Sequence, residues 1–306
     1  MPAVDNIRIY EDDAFYFVTN RCIEAKFLIR PDDDGEMQRI CLACLAWAAQ
    51  KHEVEIFAYV FMSNHFHLLV RAPKMNLSEF MRDFQRELAA RLNRHRNRTG
   101  TVFPRPFDAP KVIGDDMFLE KLKYIVNNPC LSDLVRHPAD WPGVSSWKSH
   151  QTGEAQVGRL IDYKELRRLR RKDPSTPREE AMRSDELVLA TPPMWEDKSD
   201  EELRQLIVAQ VEEQATELQK ERARRRRRVV GPAKLKRMKV RHSPPAPKCY
   251  PRVKCLCADA EKKKAYLEER MTTVDAYKQA MGRWRRGKSS VTFPTGTHPP
   301  GLCRCA

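Results

Sequence analysis

The sequence predicts an α+β fold: an antiparallel sheet covered by helices, followed by a basic, partly helical C-terminal extension. Two observations predict it. Segments of period two and period three-and-a-half alternate through the first half, and the excess positive charge is confined to the second. Residues 1–150 hold 20 Lys+Arg and 20 Asp+Glu. Residues 151–306 hold the remaining 36 and 22, so the whole excess of +14 lies there. A neutral folded domain with a basic arm suits a polyanionic partner such as nucleic acid. A solvated basic tail is the plainer reading of the same composition.

The elements follow in order. FYFVTNRC (15–22) is aromatic and β-branched, as a strand is. Residues 36–51 place Ile40, Leu42, Leu45, Ala46 and Ala49 at helical spacing. Residues 54–62 read as a second strand. The polar pair Ser63-Asn64 then breaks the chain before a strand at 65–71, which makes a hairpin. Residues 76–97 form an amphipathic helix with Phe80, Phe84, Leu88 and Leu92 on one face. After the loop GTVFPRPFDAP come a short strand near 111–113 and a helix over 115–128, which Pro129 is expected to end. The order β-α-β-β-α-β-α is that of the split βαβ, ferredoxin-like arrangement. WPGVSSW (141–147) is expected to close the domain at 1–152.

Residues 153–198 read as a short helix, IDYKELRRLRRK, and a linker over 172–198. The extension occupies 199–306. Ser199 and Glu202 make a capping box, and Leu203, Leu206, Ile207, Val211 and Leu218 form the stripe of the helix that follows. That helix runs into five arginines, Arg224, Arg225, Arg226, Arg227 and Arg228. Residues 229–254 are basic, proline-rich and expected to be extended, and 259–286 read as a last helix. CLACLAWAA (41–49), among the longest apolar runs, is too short to span a membrane. The N-terminus lacks the pattern of a signal peptide, so a cytoplasmic, nucleoid-associated protein is expected. The nine cysteines form no even framework and suit a reducing compartment.

FMSNHFHLLVRAP (61–73) carries the first chemical signal. Side chains alternate along a strand, so His65 and His67 share one face and Phe66 and Leu68 the other. Adjacent imidazoles either share a ligand or each need a hydrogen-bond partner. KYIVNNP (123–129) carries the second: Tyr124 and Asn128 are four apart and share a helix face. Two imidazoles and an amide oxygen could hold a metal with open positions beside a tyrosine nucleophile. A phenol ionises near ~10 and is a weak nucleophile at neutral pH unless the phosphate it attacks is polarised. Taken singly, each residue has a plain reading: a packed tyrosine, a helix-ending asparagine, a pair of satisfied histidines.

From Tyr16 to Trp147 the chain resembles the REP-associated tyrosine transposases, single-tyrosine HUH transposases of the IS200-like group. NRC (20–22), YVFMSNHFHLLVRAP (59–73) and YIVNNP (124–129) carry the resemblance, with SSW (145–147) weaker. Ser63 stands where the family has proline. GTVFPRPF is similar to a family segment in which Phe103 replaces tryptophan and Arg105 sits out of register. The resemblance implies that His65, His67 and Asn128 bind Mg²⁺ or Mn²⁺. It further implies that Tyr124 attacks single-stranded DNA at hairpins of palindromic repeats, leaving a 5′-phosphotyrosine and a free 3′-OH. Mg²⁺ prefers oxygen donors, and imidazole better suits Mn²⁺. Arg21, Arg105 and Arg224 to Arg228 are the expected DNA contacts, and Tyr250 and Trp284 the candidate stacking rings. Monomer and homodimer both fit, as do cis and trans action of Tyr124.

Two other classes remain in view. One is a domesticated, non-cutting nucleic-acid-binding protein that uses the same fold and tail. The other is a zinc hydrolase, which would need a further ligand cluster around His52, His95, His137, His150, His242 or His298. The tail cysteines Cys249, Cys255, Cys257, Cys303 and Cys305 lack the usual zinc spacing and read as free thiols.

Overall fold

The computed structural model describes residues 7–244, 252–288 and 290–298. Its sheet is built from β1 (Phe15–Arg21), β2 (Glu55–Phe61), β3 (His65–Arg71) and β4 (Lys111–Ile113) in the order β2-β3-β1-β4. Every neighbouring pair in that order is antiparallel. Strands β1 and β2 therefore run the same way with β3 between them, which is the split βαβ that the element order predicts.

Alternation sorts the strands onto two faces. Tyr16, Val18, Phe66, Leu68 and Val70 turn to one face, against α1 (Glu36–His52) and α2 (Leu77–His95). Phe15, Phe17 and Leu69 turn to the other, against Phe118, Leu122, Ile125 and Val126 of α3 (Asp115–Leu131). A register shift between Ile56 and Ala58 in β2 turns both Phe57 and Ala58 to the α3 side. The outer edge of β2 is closed by 144–146. The N–H of Phe61 donates to the Val144 carbonyl (2.9 Å), and that of Ser146 to the Tyr59 carbonyl (2.9 Å). WPGVSSW thus covers an edge that would otherwise offer free backbone groups.

Three expectations are corrected. Helix α3 does not stop before Pro129 but runs through it to Leu131. The proline lies in the last turn, where only one backbone bond is forfeited, and the Pro129 carbonyl accepts from Leu134 (2.9 Å). Residues 172–198 are not a bare linker. After α4 (Trp147–Thr152), β5 (Gln156–Ile161) and α5 (Tyr163–Lys172), this stretch supplies β6 (Met182–Leu187), the antiparallel partner of β5. The pair lies on the alanine-rich face of α1 with Leu160 and Leu187 in the core. The approach is so close that a Cβ on Gly158 would sit 2.3 Å from the Ala43 Cα. Only Asp185 and Leu187 of β6 are buried, so its local pattern is too thin to announce a strand.

The third correction concerns the extension, which is bound into the domain. Helix α6 (Asp200–Arg224) starts at the expected capping box and lays Leu203, Ile207 and Val211 into the core beneath α3. Within 229–254, expected to be extended, Pro232–Arg237 forms a short helix, α7. Strand β7 (Cys255–Cys257) then joins the sheet parallel to β4, and α8 (Ala260–Arg285) follows it. Cys249, Cys303, Cys305 and Tyr250 lie outside the described residues.

Candidate active site

The site grows from one end of β3. His65 and His67 share its α3-side face, as alternation requires, with ring centroids 4.8 Å apart. The turn before them is tied down. The N–H of Met62 donates to the His65 carbonyl (2.8 Å), and that of Cys22 to the Asn64 carbonyl (2.8 Å). Asn64 then acts through its side chain. Its Nδ2 donates to the Ala25 carbonyl (2.9 Å), which fixes which end of the amide is oxygen. That oxygen lies 2.6 Å from His65 Nδ1. An amide oxygen only accepts, so His65 carries its proton on Nδ1 and keeps the Nε2 lone pair free.

Tyr124 and Asn128 enter from α3, one turn apart on the same face. The Tyr124 ring meets the His67 ring edge-on at 5.6 Å. Phe17 of β1 stacks on His67 at 5.1 Å and meets Tyr124 at 5.8 Å, so it holds the two rings against each other. The structure therefore brings together His65, His67 and Tyr124, and places Asn128 a helical turn beyond them.

Electrostatics keep the histidines neutral. Burial, reinforced by the Arg21 guanidinium, pushes His65 down to about 3. Burial pushes His67 well below its ordinary value, and His65 and Arg21 add to this. A neutral imidazole offers a lone pair. His67 is 7% exposed, and its Nδ1 is buried with no hydrogen-bond partner. Asn128 is 4% exposed, and its Oδ1 is likewise buried and unpartnered. Unsatisfied buried polar atoms are costly, so each of the two has room for a ligand. Both atoms are donors of the type a Mn²⁺ or Mg²⁺ ion accepts, which fits the expected set.

Among the described residues no three of His, Cys, Asp or Glu gather as a metal group. The expected donor set, two imidazoles and an amide oxygen, is not of that kind. Other histidines have carboxylate partners: His52 with Asp83 (3.1 Å), His95 with Asp32 (2.6 Å) and His137 with Glu212 (2.8 Å). The second cluster that a zinc hydrolase would need is not among them.

The expected basic contacts divide. Arg21 pairs in register with His65 and is exposed beside the site. Arg105 is exposed in the loop before β4, where its carbonyl accepts from Asn20 Nδ2 (3.1 Å). Phe103, in the same loop, packs on Phe66. Arg224 to Arg228 are all exposed, but Arg225 pairs with Glu221 (2.5 Å) and Arg227 with Asp133 (3.3 Å).

Sequence reasoning missed three residues. Asn64 looked like part of a turn, yet it sets the His65 tautomer. Asn127, fully buried, donates to the Val211 carbonyl (3.1 Å) and to Gln214 (2.9 Å), fastening α3 to α6. Arg222 bonds Asp133 (2.9 Å) and the Cys130 carbonyl (2.7 Å) at the end of α3. The adjacent Asn127-Asn128 pair in an apolar helix was the available signal for Asn127. Arg222 was hidden in a run of arginines.

A helix carrying a tyrosine thus lies across an antiparallel sheet whose central strand presents paired histidines. The family described as transposase IS200 like matches residues 32–128. Over that stretch the chain is similar to the IS200-like transposases. The matched stretch begins after β1 and ends on Asn128, so it contains His65, His67, Tyr124 and Asn128 and excludes the whole extension. A solved structure of a REP-associated tyrosine transposase bound to a REP hairpin is similar at 18% identity and a TM-score of 0.39. That likeness covers 47% of this chain and 82% of that one. No curated protein matches the chain. Among the described residues no helix is long and apolar enough to cross a membrane.

Proposed function

We propose that the chain is a metal-dependent single-stranded DNA endonuclease and strand transferase acting on hairpins of palindromic repeats. The catalytic unit is residues 1–152. The observation that carries this reading is the meeting of Tyr124 with a neutral histidine pair in which His67 Nδ1 is buried with no hydrogen-bond partner.

His65, His67 and Asn128 would hold the Mg²⁺ or Mn²⁺ ion. When bound, that ion supplies Lewis-acid polarisation of a phosphate and stabilises its developing charge. The chain's own residues do the rest. Asn64 holds the proton of His65 on Nδ1, so Nε2 stays a donor of electrons. Phe17 and His67 confine the Tyr124 ring. The Tyr124 oxygen attacks the scissile phosphorus and loses its proton. A phosphotyrosine ester forms on the 5′ side, the bond to the 3′ oxygen breaks, and that oxygen takes up a proton. Covalent storage splits one difficult transfer into two. Attack of a 3′-OH on the phosphotyrosine reverses the step and joins strands without ATP.

The test is incubation with end-labelled hairpins from repeats flanking the coding region, with Mn²⁺ or Mg²⁺, on a denaturing gel. The expected result is a metal-dependent, SDS-resistant shift that Tyr124→Phe abolishes. Hairpin binding with no adduct under any metal would favour a non-cutting binding protein instead.

A further inference from the structure

The expected basic contact was the arginine run at the end of α6. The geometry points to a different surface: we infer that residues 229–243 form a phosphate track for the single-stranded DNA arm at the mouth of the site. This inference rests on the reading of the chain as acting on single-stranded DNA.

The segment is anchored at both ends beside the site. At one end, the N–H groups of Val230 and Gly231 donate to the carbonyls of Asp133 (3.0 Å) and Leu134 (2.8 Å), just past the helix that carries Asn128. At the other end, Ser243 Oγ donates to the Glu24 carbonyl, and the N–H of Phe27 donates to the His242 carbonyl (3.2 Å). Arg30 donates to the Lys236 carbonyl between them. The loop that receives these bonds is the one that braces the histidine turn, through Asn64 to Ala25 and through the Ile29 N–H to the Ser63 carbonyl (3.1 Å). Residues 229–243 thus span from the end of the tyrosine helix to the support of His65. Leu235 is buried in the α3-side core and Val240 packs on the opposite core, so the strap is held in place along its length.

Its charge is uncompensated. The strap contains Lys234, Lys236, Arg237, Lys239 and Arg241 and no carboxylate. Lys234, Arg237, Lys239 and Arg241 are exposed, and none of the five is in an ion pair among the described residues. Of the neighbouring run, Arg225 and Arg227 are already paired, while Arg224, Arg226 and Arg228 are exposed without an ion pair among the described residues. A fixed row of unpaired cations beside a phosphate-processing site attracts a phosphodiester backbone through counterion release, without reading its sequence.

The experiment uses the full chain and a variant carrying Lys234→Gln, Arg237→Gln, Lys239→Gln and Arg241→Gln. Two labelled hairpins are titrated across a salt series, one with a single-stranded arm and one without. Losing four cations should flatten the log K against log salt slope by about 3 on the armed hairpin. That is about 50-fold across a roughly fourfold change in salt. The armless hairpin should show no change. An unchanged slope on the armed hairpin overturns the track. Equal flattening on both hairpins overturns its assignment to the single strand. Adduct formation at Tyr124 is read in parallel, so a chain that binds in this way without forming an adduct would sink the nuclease reading alone. A wild-type chain that binds neither hairpin removes both.

Discussion

The two faces of β3 differ by one residue of register and share almost no chemistry. On the helix-pair side, Phe66, Leu68 and Val70 are fully buried in hydrocarbon and satisfied by packing alone. On the α3 side, His65 and His67 bring four ring nitrogens, of which His67 Nδ1 is buried without a partner. One strand can carry both because a pleated backbone bonds sideways and leaves the two faces independent. One face supplies stability, and the other bears the cost of a site.

The comparison can be broken from either side. The largest effect is expected from Tyr124→Phe. On the proposed chemistry, removing the Tyr124 oxygen should lower covalent adduct formation by at least ~1000-fold on denaturing gels, while hairpin affinity and melting temperature stay at wild-type values. Residual adduct near the wild-type level would remove Tyr124 from the chemistry. Next comes the sealed face. Phe66→Ala should cost about 3–5 kcal/mol in a denaturant melt, because its ring packs among Phe61, Phe84 and Phe103 and leaves a cavity. His67→Ala should leave stability much less changed, since it deletes an unsatisfied polar atom.

Smaller again is Asn64→Ala. Without its oxygen, His65 is free to change tautomer, and activity at limiting metal should fall about 10–100-fold. Raising the metal concentration should restore part of that loss, whereas a folding defect would not respond. The smallest effect concerns pH. His150, buried in α4 with an unpartnered Nε2, is pushed down to about 4 by burial alone. An unfolded histidine titrates near ~6.5. Between those values the unfolded chain takes up a proton that the folded chain does not, so stability falls as pH drops through the window. His65 adds to the same trend. Melting temperatures taken from about pH 7 to about 4 should decline, and His150→Gln should make the decline shallower.

Much of this was legible in the residues themselves. The period-two run around His65 and the helical spacing of Phe80, Phe84 and Leu88 are local signals, and the helices and strands of the first half follow them. The pairing of Tyr124 with Asn128 needs only helix geometry. What the sequence hid were facts about distant partners. Strand β6 exists because α1 presents alanines to Gly158 and its neighbours, and nothing within MRSDEL announces that. Pro129 reads as a helix breaker until the contacts beyond it are known. The arginine run drew attention by composition, yet Arg222, just before it, is the buried one, and Arg225 and Arg227 are spoken for by Glu221 and Asp133. Five further cations with no ion pair among the described residues lie in a stretch that was expected to be extended.

The attachment of α6 beneath α3 also sets an order in time. A ribosome adds roughly 5–20 residues per second, and domains fold as they emerge. The tyrosine helix is therefore made on the order of ten seconds before Arg222, whose bonds to Cys130 and Asp133 finish its support. During that interval the nascent chain has its paired histidines and Tyr124 but lacks the helix packed beneath α3 and the strap at 229–243. The full support of α3 thus arrives late in translation.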